Sequence, residues 1–179
     1  MTWEAEEGSA DLVQENNVAP IRKIPLPENA SLASYAQRAG SYADCYTVDV
    51  NGKIELSAYT ECFFNTWLMR LERKLIGWGS KPSNDADVRS LANGSCDSLA
   101  WWRVEKRDPD QLLLSVSDIA TRTWLMVSKL PGATPGTRLY FGSAVLKQSR
   151  LSKALLPFHK AYSRLLLRSA SRTCGRMSL

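Results

Sequence analysis

His159 is the single histidine among these 179 residues, and histidine is the side chain whose ordinary pKa puts a charge change near neutrality. Proton chemistry at physiological pH would therefore have to run through it. The groups that could pair with it in a cavity are Tyr140, Tyr162 and Asp118. Cys62 could act as a nucleophile if His159 met it, although the two lie on separate helical segments. The plainer reading of His159 is a helix-border side chain hydrogen-bonded to a neighbouring strand or to the opening of the helix. Four scattered cysteines (Cys45, Cys62, Cys96, Cys174), without C-x-x-C spacing, and one histidine do not make a His/Cys zinc site. No metal and no cofactor is expected, and beyond His159 no residue is nominated for catalysis.

Large aromatics are the second resource. Trp102, Trp124, Tyr140, Phe158 and Tyr162, with His159, could line a cavity for an apolar or aromatic small molecule, or could fill an ordinary core. Side chains alternate along a strand, so Trp102 and Val104 share one face while Trp101, Arg103 and Glu105 share the other. The charges make the Trp102 face the inner one and the Arg103 and Glu105 face a solvated or cross-strand-paired exterior. The strands holding Trp124 and Tyr140 are apolar on both faces and stay unoriented. Gly132, Gly136 and Gly142 have no phosphate-loop spacing and suit turns or close backbone approach.

The elements that must position these residues follow from pattern. Residues 42–50 read as a strand ending in the turn signal Asn51-Gly52, with a second short strand over 54–59. From Thr60 the steps Phe64, Trp67, Leu68, Leu71, Leu75 and Trp78 predict one helix, closed by Gly77, Gly79 and Pro82. A short helix capped by Ser83 or Asn84 ends at Asn93-Gly94. Four antiparallel strands come next, over 99–106, 111–117, 121–129 and 137–147. A helix over 151–172 closes the order. On a wheel it gathers Leu151, Ala154, Leu155, Phe158, Tyr162, Leu165 and Leu166 on one arc, with Lys153, Lys160, Arg164 and Arg168 opposite. Pro157 either kinks this helix or opens its first regular turn, the second being preferred. A sheet crossed by such a helix is a container, so the fold class is α+β.

This order, a strand, two helices, several strands and a long C-terminal helix, resembles the helix-grip fold of the START/SRPBCC superfamily, a curved antiparallel sheet wrapped around the last helix. Ala100-Trp101-Trp102-Arg103-Val104-Glu105, Arg122-Thr123-Trp124-Leu125 and Leu156-Pro157-Phe158-His159 resemble the motifs of a bacterial family of unknown function. That family also occurs fused behind nucleotide-binding epimerase-like domains. Tyr42-Ala43-Asp44 and Trp67-Leu68-Met69-Arg70-Leu71 fit its N-terminal half, so the resemblance spans about residues 40–172. It implies a fold and a cavity between sheet and helix; it implies no catalytic residues. The chain departs from it in having Ile119-Ala120-Thr121-Arg122 where relatives carry a Pro-Gly, and it has no G-x-G-x-x-G.

Composition bounds the rest. At 44% hydrophobic the chain suits one domain, expected over 31–172, between an acidic, mobile segment over 1–30 and a tail over 173–179. Residues 1–30 carry six acids and two bases, and residues 147–179 carry eight bases and no acid. No apolar run reaches the roughly 18–20 residues of a membrane span. The N-terminal Met-Thr-Trp-Glu-Ala-Glu-Glu lacks the basic start of an export signal, so the cytoplasm and four reduced thiols are expected. The leading reading is a protein that binds an apolar or aromatic small molecule. A cyclase- or hydratase-like enzyme using His159, and a surface- or partner-binding module using the basic helix, are the alternatives. Nucleic acid is not expected, since the basic stripe lacks interleaved exposed aromatics. Membrane-surface contact is not expected either, because the sheet should occupy the helix's apolar arc. Self-association stays open.

Overall fold

The computed structural model describes residues 19–77, 83–116, 120–146 and 150–177, apart from the side chains of 75–77, 150–156 and 177. Asp118, Trp78, Gly79, Pro82 and the acidic stretch before residue 19 lie outside the described residues, as do the side chains of Leu75, Leu151, Lys153, Ala154, Leu155 and Leu156. In chain order the elements are β1 (Arg22–Lys23), α1 (Ala33–Ala36), β2 (Tyr42–Asn51), α2 (Leu56–Phe64), α3 (Trp67–Gly77) and α4 (Asp85–Ala92). Then come β3 (Ser98–Leu99), β4 (Trp102–Arg107), β5 (Gln111–Val116), β6 (Thr121–Lys129), β7 (Gly136–Val145) and α5 (Arg150–Met177). The architecture is α+β: one curved antiparallel sheet of seven strands in the order β1-β2-β7-β6-β5-β4-β3, with α5 packed against it.

The sheet has two apolar faces. On one, Tyr46, Val48, Leu139, Phe141, Leu112, Leu114 and Leu125 pack under α2, α4 and α5. On the other, Trp124, Met126, Leu113, Tyr140 and Ala144 are covered by Ala30, Leu32 and the half-buried Ile24, Leu26 and Tyr35. Gln111 fastens that cover. Its Oε1 accepts from the Ser31 N–H and from Trp124 Nε1, each at 2.9 Å, and its Nε2 donates to the Asn29 carbonyl at 3.0 Å. Residues 19–30, where described, are thus packed on the sheet, and α5 continues to Met177 with Cys174 in the core.

Four expectations need correction. The stretch 54–59 is no strand: both edges of β2 are taken by β1 and β7, and the chain leaves the sheet to start α2 at Leu56. The single helix from Thr60 is two. Thr66 divides them, its hydroxyl bonding the Phe63 carbonyl at 2.9 Å and accepting from the Met69 N–H at 3.2 Å as a cap for α3. In α5 the buried stripe is Ser163, Leu166, Leu167, Ala170, Ser171 and Cys174, so Phe158 and Leu165, expected inside, face solvent. That stripe, rich in small residues, is the one that packs against β2 and α2, and of the predicted arc Leu166 stays inside and Tyr162 half-buried. Pro157 lies inside α5 on its exposed side, not in its first turn, where water can serve the carbonyl left without an N–H partner.

The strand expected over 99–106 is a tight hairpin. Leu99 pairs with Trp102, and Ala100 turns the chain at φ 50°, a left-handed conformation that costs a non-glycine residue about 1–2 kcal/mol. The short helix is α4, with Asn84 as its cap: Asn84 Oδ1 accepts from Ala86 and Asp87, and Asp87 answers to the Asn84 N–H.

Candidate functional site

Antiparallel register sets Asp44 of β2 opposite Ser143 of β7, both on the face that α5 crosses. His159 of α5 descends onto them. Ser143 donates its hydroxyl proton to Asp44 Oδ1 at 2.8 Å, so its oxygen is left to accept from His159 Nε2, also at 2.8 Å. That Nε2 lies 3.8 Å from Asp44 Oδ2, to which Tyr42 donates at 3.2 Å. The Tyr42 and His159 rings meet edge to face at 6.4 Å. Asp44 has no exposed side-chain surface, whereas His159 keeps about a quarter of its own.

Burial works against a charge on Asp44, yet the hydrogen bonds from His159, Ser143 and Tyr42 outweigh it and hold the carboxyl below its ordinary value. Burial, then the Asp44 charge, pushes the neighbouring Cys45 thiol up to about 12 and the Tyr42 phenol higher still above its own range. Neither is a nucleophile at neutral pH. Aspartate, serine and histidine are together, but not wired as a hydrolytic triad. In that arrangement the serine proton goes to the imidazole, and the carboxylate holds the far ring nitrogen. Here the carboxylate takes the serine proton, and the imidazole donates to the serine oxygen. What the cluster can do is hold a buried negative charge next to a partly exposed proton carrier.

The other sequence candidates scatter. Trp102 is buried against Phe64, ring centroids 5.5 Å apart, and Phe63 stacks on Phe141 at 5.1 Å, so aromatic side chains fill this part of the space between sheet and helices. Trp124 and Tyr140 sit together on the opposite face of the sheet, centroids 6.1 Å apart. Trp102 and Trp124 therefore cannot line one cavity. Phe158 is 72% exposed. Tyr162 joins α5 to α3, its hydroxyl donating to Glu72 and lying against Met69. Burial raises the Glu72 carboxyl above its ordinary value despite that bond. Cys62 is committed to Cys174, thiol to thiol across α2 and α5, and not to His159. Among the described residues no group of histidines, cysteines and acids could hold a metal ion.

Arg103 and Glu105 face outward, and Glu105 is paired across two strands. It takes the Tyr35 hydroxyl at 2.6 Å and the Arg122 guanidinium at 2.7 Å, while Arg122 and Arg38 flank the Tyr35 ring at 4.9 and 4.2 Å.

A cleft of about 650 Å³ opens at the other end of the β2–β7 pair, beneath the β6–β7 hairpin. Ile54, Val127, Pro109, Ala133 and Pro135 give it apolar walls, with Lys53, Asp110 and Lys129 among its polar neighbours. Lys53 is held by Glu55 at 2.6 Å. No element pattern named these residues as a site. The available signal was the length of the connection Pro131-Gly132-Ala133-Thr134-Pro135-Gly136, which exceeds what a hairpin turn requires. A smaller groove of about 440 Å³ runs along residues 23–26 against Ala36 and Ala43.

No family model matches the chain, and no curated protein or solved structure is similar to it. Among the described residues, no helix is long and apolar enough to cross a membrane.

Proposed function

We propose that this chain is a small-molecule-binding protein of the helix-grip, START/SRPBCC-like kind, taking an apolar or aromatic ligand in the cleft beneath the β6–β7 hairpin. The observation that carries the reading is that cleft: about 650 Å³, with a wall of Ile54, Pro109, Val127, Ala133 and Pro135 and with Lys53, Glu55, Asp110 and Lys129 around it. Ligand sites have this size and character. The ligand is an apolar body with a polar end, the body against Ile54, Val127 and Pro135 and the end toward Lys129 and Asp110. Titration with anilinonaphthalene sulfonate tests it. Wild-type protein enhances the dye's fluorescence saturably. Ala133→Trp, which fills the mouth from an exposed loop position, weakens the effect by about tenfold or more at unchanged thermal stability. Phe158→Ser, remote from the cleft, leaves it intact. Equal enhancement by wild type and Ala133→Trp removes the reading.

An acid–base enzyme is the second reading, favoured by the buried Asp44 charge held beside His159.

A further inference from the structure

The outward face of α5 carries two side chains that a soluble helix would normally bury, Phe158 at 72% and Leu165 at 44% exposure. Arg168 and Arg172, both exposed, share this face; Lys160 and Arg164 are exposed toward the other side of the helix, Arg164 lying over the Tyr46 ring at 5.7 Å. None of these four bases takes part in an ion pair among the described residues, and α5 contains no acid to meet them. Helix α3 presents Trp67, 60% exposed, and Leu71, 45% exposed, beside Lys74, while its Arg70 is paired with Asp85 at 2.7 Å. Its one acid, Glu72, is turned in to Tyr162, and that contact joins the two helices on the same side of the sheet.

We infer that α3 and α5 form a docking surface for an anionic lipid bilayer. Their buried stripes are held by the core and by each other, so the helices stay in place. Phe158, Leu165, Trp67 and Leu71 enter the boundary between headgroups and acyl chains, while Arg168, Arg172 and Lys74 meet lipid phosphates. Exposed aromatics and leucines among cations fit an interfacial helix. Trp67 and Phe158 could each stack on a base, but Leu71 and Leu165 beside them add apolar area that acyl chains cover and stacked bases do not, which favours a bilayer over a nucleic acid. This surface is separate from the cleft beneath the β6–β7 hairpin and does not depend on it.

The test is sedimentation of the full chain with vesicles of phosphatidylcholine alone and of phosphatidylcholine with phosphatidylserine. The chain pellets with the anionic vesicles only, and salt releases it. Trp67→Ser with Phe158→Ser weakens binding by about tenfold or more. Both positions are exposed, so the fold is unaffected. Arg168→Glu with Arg172→Glu weakens it at least as much, while retaining the dye response of the cleft. Three results would overturn the inference. One is binding lost with the charges but indifferent to Trp67 and Phe158, which is polyanion attraction. Another is preference for RNA over vesicles. The third is self-association abolished by Phe158→Ser with no vesicle binding, which makes the patch an interface between copies.

Discussion

Asp44 keeps its charge without any exposed side-chain surface because Ser143, Tyr42 and His159 converge on it. A carboxyl whose folded pKa lies below its ordinary value stabilises the fold fully above the ordinary carboxylate range, and that contribution is lost as pH falls through the lowered value. Asp44→Asn is therefore expected to cost about 1.5–3 kcal/mol at neutral pH, the worth of hydrogen bonds to a charged group. It is also expected to flatten the decline of stability in acid. Urea unfolding at a series of pH values measures both, and a loss that is equal at every pH would assign Asp44 a role through shape alone. That His159 would be a helix-border side chain was legible, since the last helix was; whether it bonded a strand or the opening of the helix was not, and the structure gives it the strand residue Ser143. Nor were its partners legible: Asp44 and Ser143 meet through the register of β2 with β7, a pairing distant in sequence that no local pattern encodes.

Strands and helices were read from periodicity, and periodicity failed where a single polar residue overrode it. The apolar steps of Phe64, Leu68 and Leu71 run straight across Thr66, yet its hydroxyl satisfies backbone on both sides and ends one helix to begin another. The alternation of Trp102 and Val104 with Arg103 and Glu105 gave the right faces, while Ala100 folded the strand's start back on itself, leaving Trp101 in the turn. Trp124 could not be oriented from a strand apolar on both faces. The structure settles it through Gln111 and through Gly142, opposite Trp124 in register. A Cβ at Gly142 would lie 2.8 Å from the Trp124 ring, 3.0 Å from Leu32 and 3.1 Å from the Asp44 carbonyl. Such contacts require something rigid to shift. Gly142→Ala is expected to destabilise the protein by about 1–3 kcal/mol, the usual cost of overpacking. Chemical denaturation checks it, and pairing it with Trp124→Phe, which shrinks the ring, should recover part of the loss.

Over the whole molecule, charge is distributed more unevenly than any single element suggests. The net charge of +5 hides five acids and no base in residues 1–18, against eight bases and no acid from residue 147 onward. Opposite charges on one chain attract over a Debye length of about 10 Å at 0.1 M salt, so the acids compete with any external anion for the basic face of α5. Removing residues 1–18 raises the net charge to +10, since it takes away five acids and nothing positive. The truncated protein is expected to bind phosphatidylserine-containing vesicles more tightly than the full chain, by about tenfold at low ionic strength, which corresponds to 1.4 kcal/mol of removed competition. The gain should vanish at high salt, where screening removes the competition and the binding together, and it should be absent from Arg168→Glu/Arg172→Glu protein. Vesicle titrations of the two chain lengths across a salt series measure it. Equal affinities at low salt would mean that the acidic residues do not reach α5, and that its cations face the bilayer uncompensated in the full chain as well.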